Sequence, residues 1–456
     1  MRSSPSGTTC GARREGRKGA RPRQSGERGD GWRLRWLLAI TAPILILGCY
    51  GERGRAASSG GDAAIDGGVR AGGDAARGPD VAAEARVSLT AGASQPGGSV
   101  LRAVALADAD RDGRLDLAIL DGGPPATVNV LLNLGAGRFA AAAVYDVGQS
   151  PQAIAFGDIS GDGAPDLVIA NRDSGDISVL LNRGDGTFTT AASYAAGTGP
   201  RALAVADLTG DGRADVAVAN DGSGDVAVLV NRGDGTFGAA KQLAVGGTPQ
   251  ALATGDLDGD GRVDLVVARG DASGGGISVL MNRGEAVFAE AVVTAPGTVA
   301  VAVAVGDLDG DGRADLAVAQ GGAAAGHQLA ILINASRQGG PPEVSFGAAQ
   351  PIPSGASPVA LAIADLDADG RGDLAVANDG SGDITALLNQ GDGTFTGTAY
   401  AAGEGPVGVA VGDLDGDHLP DVVVGNGSGG NVTILHNQGG GRLGAPTYAA
   451  GARPFG

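Results

Sequence analysis

Residues 200–237 read PRALAVADLTGDGRADVAVANDGSGDVAVLVNRGDGTF, and the reading of this stretch decides the fold. Apolar runs near residues 201–206, 215–220 and 225–231 are short and rich in Val and Ala, and a further run covers 237–245. Clusters of Gly, Asp and Asn bound each run, which is the punctuation of strands, and no run holds a helical period long enough to compete. The turns carry Asp234-Gly235 and Ser223-Gly224, pairs that suit the positive-φ positions of tight hairpins. The unit is therefore read as four antiparallel strands.

The same unit returns seven times. The first Asp of its acidic loop falls at Asp108, Asp158, Asp207, Asp256, Asp307, Asp365 and Asp413, at intervals of 50, 49, 49, 51, 58 and 48 residues. A chain of 456 residues built this way is one large body rather than three ordinary domains. Seven units of four short strands predict an all-β, seven-bladed β-propeller over residues 86–456, because radial closure removes the exposed strand edges that a line of such sheets would leave. Two segments compete to close the ring, one beginning at Val87 and one beginning at Arg442.

The loops place oxygen side chains at positions 1, 3, 5 and 9, with Gly at position 6 in six of the seven. The first loop supplies Asp108, Asp110, Asp112 and Asp116; the second Asp158, Ser160, Asp162 and Asp166; the third Asp207, Thr209, Asp211 and Asp215. The fourth supplies Asp256, Asp258, Asp260 and Asp264, and the fifth Asp307, Asp309, Asp311 and Asp315. The sixth supplies Asp365, Asp367, Asp369 and Asp373, and the seventh Asp413, Asp415, Asp417 and Asp421. A hard cation such as calcium takes about six to eight oxygens, and a loop curling over one ion offers them from alternate residues. Without a cation the carboxylates would repel one another. Several calcium ions, up to seven, are the expected cofactor. Ser160 and Thr209 lower the ligand charge of loops two and three, His418 replaces the turn Gly of loop seven, and loops four, five and six are the best formed. An EF-hand is excluded, because it needs a Glu at position 12 and flanking helices.

On these residues the chain resembles the FG-GAP/VCBS repeat family, whose members include integrin α-subunit heads. The D-x-D-x-D-G-x-x-D loops match in repeats one, four, five and six, and the N-x-G-x-G-x-F stretch matches at Asn182 to Phe188. The resemblance covers roughly residues 87–451. It implies calcium on one face of a seven-bladed propeller and a role in adhesion or ligand recognition.

The first residues have another chemistry. Residues 1–48 hold ten Lys/Arg and three Asp/Glu; this +7 leaves −25 for the rest of a chain whose formal net charge is −18. Nucleic acid is an unsuitable partner for so acidic a body, since its affinity rests on neutralising phosphates with Lys and Arg. Residues 36–47 form an apolar run of twelve, preceded by Arg33 and Arg35. Such a run is about 18 Å long as a helix, too short to span a bilayer, and it reads as a secretory signal peptide over residues 1–48. It ends in Ile46-Leu47-Gly48-Cys49, which resembles the lipobox of bacterial lipoproteins and implies lipid on Cys49. Residues 49–85 have almost no large apolar side chain and read as a flexible tether. The expected protein is exported to the outer membrane or cell surface, held to the membrane through the lipid on Cys49 only, and monomeric.

No catalytic constellation is legible. The three histidines are His327, His418 and His436, and there is no Gly-x-Ser-x-Gly elbow. His436 is read as structural, at a strand end. Arg-Gly-Asp occurs at Arg183–Asp185, Arg232–Asp234 and Arg269–Asp271, but two copies are simply the repeat's own turn. The long fifth repeat, with extra residues around 321–326 and 336–344 and with His327, is the place to look for a variable surface. The expected function is a calcium-binding surface module recognising a glycan or protein ligand; a polysaccharide-acting enzyme and a purely structural envelope component are the alternatives.

Overall fold

The structure, a computed structural model, describes residues 86–87, 100–135, 138–270, 275–289, 291–294, 299–321, 329–336 and 344–444. All of them belong to the compact unit Pro43–Gly456. The signal peptide, Cys49, the tether, His327, Asp271 and both insertions' central residues lie outside the described residues.

The third repeat forms the strands Pro200–Ala206, Asp215–Asn220, Asp225–Leu229 and Lys241–Ala244, in that order across one antiparallel sheet. Three of these match the runs read from the sequence. The fourth starts later than residue 237, because Phe237 makes only a single bridge to Asn231 before the chain moves outward. Seven such sheets occur. Five of their second strands are buried along their whole length, as in DVAVAN and DLVIAN, and the other two are buried except at their last residues, so continuous apolar runs mark strands covered on both faces by neighbouring blades. The outer strands are mostly exposed, with an occasional half-buried residue.

The innermost strands run Leu101–Ala107, Pro151–Gly157, Pro200–Ala206, Pro249–Gly255, Val299–Gly306, Pro358–Ala364 and Pro406–Gly412. Each packs against the next, and the last packs against the first, which closes the ring. Small side chains make this approach possible. A Cβ built on Gly157 would stand 2.4 Å from Val205 Cγ1 of the next blade, and one on Gly255 would stand 2.5 Å from Val305 Cγ1.

Both candidate closing segments are used, at different places on one strand. Arg86–Val87 pairs with Val432 and Thr433 of Asn431–Asn437, taking the outer-strand place of the seventh blade. Leu443 pairs with Asn437 and repeats the bridge that Asn182 makes to Phe188 and Asn231 to Phe237. The seventh sheet is thus completed by residues from the two ends of the repeat array.

Candidate metal centres

The acidic loops join the inner strand of each blade to its second strand, so all seven sit at one end of the blades. Their backbone is set by the first and fifth carboxylates. In the fourth loop Asp256 Oδ1 accepts the N–H groups of Gly259 and Asp260, and its Oδ2 accepts that of Gly261, at 2.8–3.1 Å. Asp260 Oδ1 accepts the Arg262 N–H at 2.9 Å. Gly259 and Gly261 hold φ of 75° and 83°, and a side chain would meet no neighbour at either, so the positive φ alone favours glycine; Arg111 and Ala368 adopt φ of 61° and 63° at the first of these positions in loops one and six. His418 adopts φ 70° at the position of that second glycine.

This geometry gathers carboxylate oxygens. Oxygens of Asp108, Asp110 and Asp116 lie within 4.8 Å of one another, as do those of Asp256, Asp258 and Asp260, of Asp307, Asp309 and Asp311, and of Asp365, Asp367 and Asp373. In five loops the residue at position 7 is an arginine, and Arg114, Arg213, Arg262, Arg313 and Arg371 pair with the fifth-position Asp. The Nε of each also donates to the backbone carbonyl of an Asn at or just past the end of the third strand, Asn133, Asn231, Asn282, Asn334 or Asn389. In the second loop the Ser160 hydroxyl is buried without a hydrogen bond of good geometry, although it faces Asp166 closely enough to lower that group's proton affinity. The Ser160 oxygen is free to serve a ligand.

The ninth-position Asp is the most buried member. Burial raises the carboxyls of Asp116, Asp166, Asp215 and Asp315 above the usual range, and pushes Asp264 and Asp373 up to about 6. Burial, and after it the neighbouring carboxylates, also raises Asp110, Asp258 and Asp367 at position 3. At Asp309 burial again leads, opposed by the Asp311 N–H before Asp311 and Asp307 add to it. Clustered carboxylates that resist ionisation alone are a donor set that a divalent cation would stabilise. The oxygen-rich set fits calcium: residues at positions 1, 3, 5 and 9 would hold the ion, whose charge would offset most of the loop's negative charge.

Sequence reading missed the residue that ties loops to blades. It is the Asn that opens the turn closing each third strand, in an N-x-G-x-G-x-F stretch at Asn133, Asn182, Asn231 and Asn389 and in altered turns at Asn282, Asn334 and Asn437, all at most 5% exposed. Its backbone N–H donates to Oδ1 of its own blade's ninth-position Asp at 2.7–2.8 Å in all seven blades. Its side-chain amide donates to the position-2 carbonyl of the preceding blade's loop at 2.7–2.9 Å. That same position-2 residue donates its N–H to Oδ2 of its own ninth-position Asp at 2.8–3.0 Å. Asp, position-2 residue and Asn thus alternate in a hydrogen-bonded belt that runs once round the ring and closes from Asn133 to Leu414. The repetition of N-x-G-x-G-x-F was the available signal, but its partner lies a whole blade away.

Outer-strand tyrosines make a second contact between blades. Tyr145 packs edge-on against Phe188 and Tyr194 against Phe237, with ring centroids 5.7 and 5.2 Å apart. The Arg-Gly-Asp turns are locked into the repeat. Asp185 accepts both the N–H and the hydroxyl of Thr187, as Asp234 does from Thr236, and these bonds lower both carboxyls.

A closed ring of seven antiparallel blades, each with an oxygen-rich loop at one end, defines a β-propeller with repeated candidate cation sites. The FG-GAP-like repeat matches residues 108–169, 158–218, 207–267, 256–318 and 365–424, more than half of the chain, and the chain belongs to that family. Comparison with curated proteins found no match. Among solved structures, the chain is similar to the hydrazine synthase of Kuenenia stuttgartiensis, with TM-score 0.53 and 14% identity over 77% of this chain and 99% of that one. It also aligns with an Agrocybe aegerita lectin described as recognising non-reducing terminal N-acetylglucosamine, with TM-score 0.46 and 21% identity over 77% of this chain and 90% of that one. At these identities the likeness concerns the fold alone.

Proposed function

We propose that the protein is an exported, calcium-held recognition module that presents a rigid propeller to a glycan or protein ligand at the cell surface. The belt carries this reading. Because the ninth-position Asp belongs both to a loop and to the junction with the next blade, a cation in the loop would fix blade against blade. Calcium is then structural, and recognition is left to side chains on the stiffened scaffold. Its place would be the end of the blades opposite the acidic loops. There Arg172 of blade two reaches Asp221 of blade three at 3.1 Å, and Arg201 meets the same carboxylate at 3.3 Å. Polar Arg102, Gln152 and Gln250 stand near the starts of the inner strands of blades one, two and four. The Arg-rich leader, the short apolar run and Cys49 support export and lipid anchoring, and the tether would hold the propeller off the membrane.

The test is a glycan array together with a surface-protein pull-down using the purified chain, each run in calcium and in chelator. Binding that depends on calcium is expected. Its absence in both conditions, for a chain shown to be folded, overturns the recognition reading.

A further inference from the structure

The seventh loop differs in chemistry from the other six. The residue before the junction Asn is aliphatic in six blades, namely Leu132, Leu181, Val230, Met281, Ile333 and Leu388, but His436 in the seventh. His436 lies in the strand Asn431–Asn437 and is only 7% exposed. Its Nδ1 stands 3.2 Å from Asp415 Oδ2 and 3.2 Å from Asp421 Oδ2. The three ligand atoms lie within 4.8 Å of one another. Position 7 of this loop is Leu419, where five other loops carry the arginine that pairs with the fifth-position Asp.

We propose that the seventh loop is a mixed nitrogen–oxygen site that takes a divalent transition ion of the zinc class in preference to calcium. Calcium selects oxygen ligands, whereas neutral imidazole is a common ligand of zinc and its neighbours in the series. Zinc binds His nitrogen and carboxylate oxygen at about 2.0–2.2 Å, and ligands so placed on a tetrahedron stand about 3.3 Å apart. The two His436 separations match that edge, and the contact with Asp421 is a buried hydrogen bond that the ion would replace. Asp415, Asp421 and His436 Nδ1 are the three protein ligands, and the fourth position is open to a water or to Asp413. This inference rests on reading the acidic loops as cation sites.

The experiment uses the full chain, purified without a histidine tag, stripped of metal and then saturated with calcium. Cobalt(II) is titrated by visible absorption and zinc by calorimetry, alongside His436→Leu, which restores an aliphatic residue used in other blades, and Asp415→Asn. Wild type should take up one equivalent of zinc at least tenfold more tightly than either variant, with cobalt bands that both variants lose. Calcium uptake at the other loops should be unchanged in the variants. Equal zinc affinity in wild type and both variants overturns the proposal, as does calcium uptake with no zinc site; in the latter case the reading of the other loops survives. Failure to take up either ion removes both.

Discussion

Replacing Asn231 by Ala should weaken the belt at one junction without touching a proposed cation ligand. The side chain donates to Ile159 O at 2.8 Å and Ala214 O at 2.9 Å and accepts the Gly233 N–H at 2.8 Å. Its backbone bond to Asp215 survives the change. A buried hydrogen bond is worth about 1 kcal/mol net, and a buried group left unpaired costs about 1–3 kcal/mol, so three lost bonds imply about 3–5 kcal/mol. For a body spanning residues 86–456 the unfolding entropy is about 0.8 kcal/mol/K, which converts this loss to a Tm about 4–6 °C lower. Differential scanning calorimetry of the calcium-saturated chain measures it. Arg232→Ala, at an exposed neighbour in the same turn, is the control and should leave Tm within about 1 °C. If Asn231→Ala also lies within about 1 °C of wild type, the belt does not hold the blades together.

Chelation should lower Tm by several degrees. At millimolar calcium and dissociation constants of about 10⁻⁴–10⁻³ M, each occupied loop adds about 0.4–1.4 kcal/mol; an unchanged Tm and no heat of calcium uptake refute the cation reading. In chelator, stability should fall as pH rises from about 4 to about 7, because carboxyls raised by burial, with Asp264 and Asp373 at about 6, favour the fold only while protonated. Calcium should remove that fall, and calorimetry across this range checks both halves. Gly157→Ala should cost about 1–2 kcal/mol, since its Cβ must displace the stiff Val205 side chain of the next blade; a Tm equal to wild type would show that the blades have slack there.

The sequence by itself determined the strands, their number, the blade count and the placement of the acidic loops. Each of these is local: a run of Val and Ala, a Gly at a positive-φ turn, or an Asp spaced two from the next reports its role within about ten residues. The tertiary structure decided what lies between the repeats. Asn231 meets Ile159 across 72 positions and Asn133 meets Leu414 across 281, so no pattern within one repeat could display the belt. The division of the seventh blade's edge between Arg86–Val87 and Leu443 was likewise settled by pairing between distant segments. His436 shows the same limit most sharply. In sequence it stands where other repeats carry an aliphatic residue, and only the pairing of Leu435 with Val422 sets its strand beside Asp421 and brings its ring against two carboxylates.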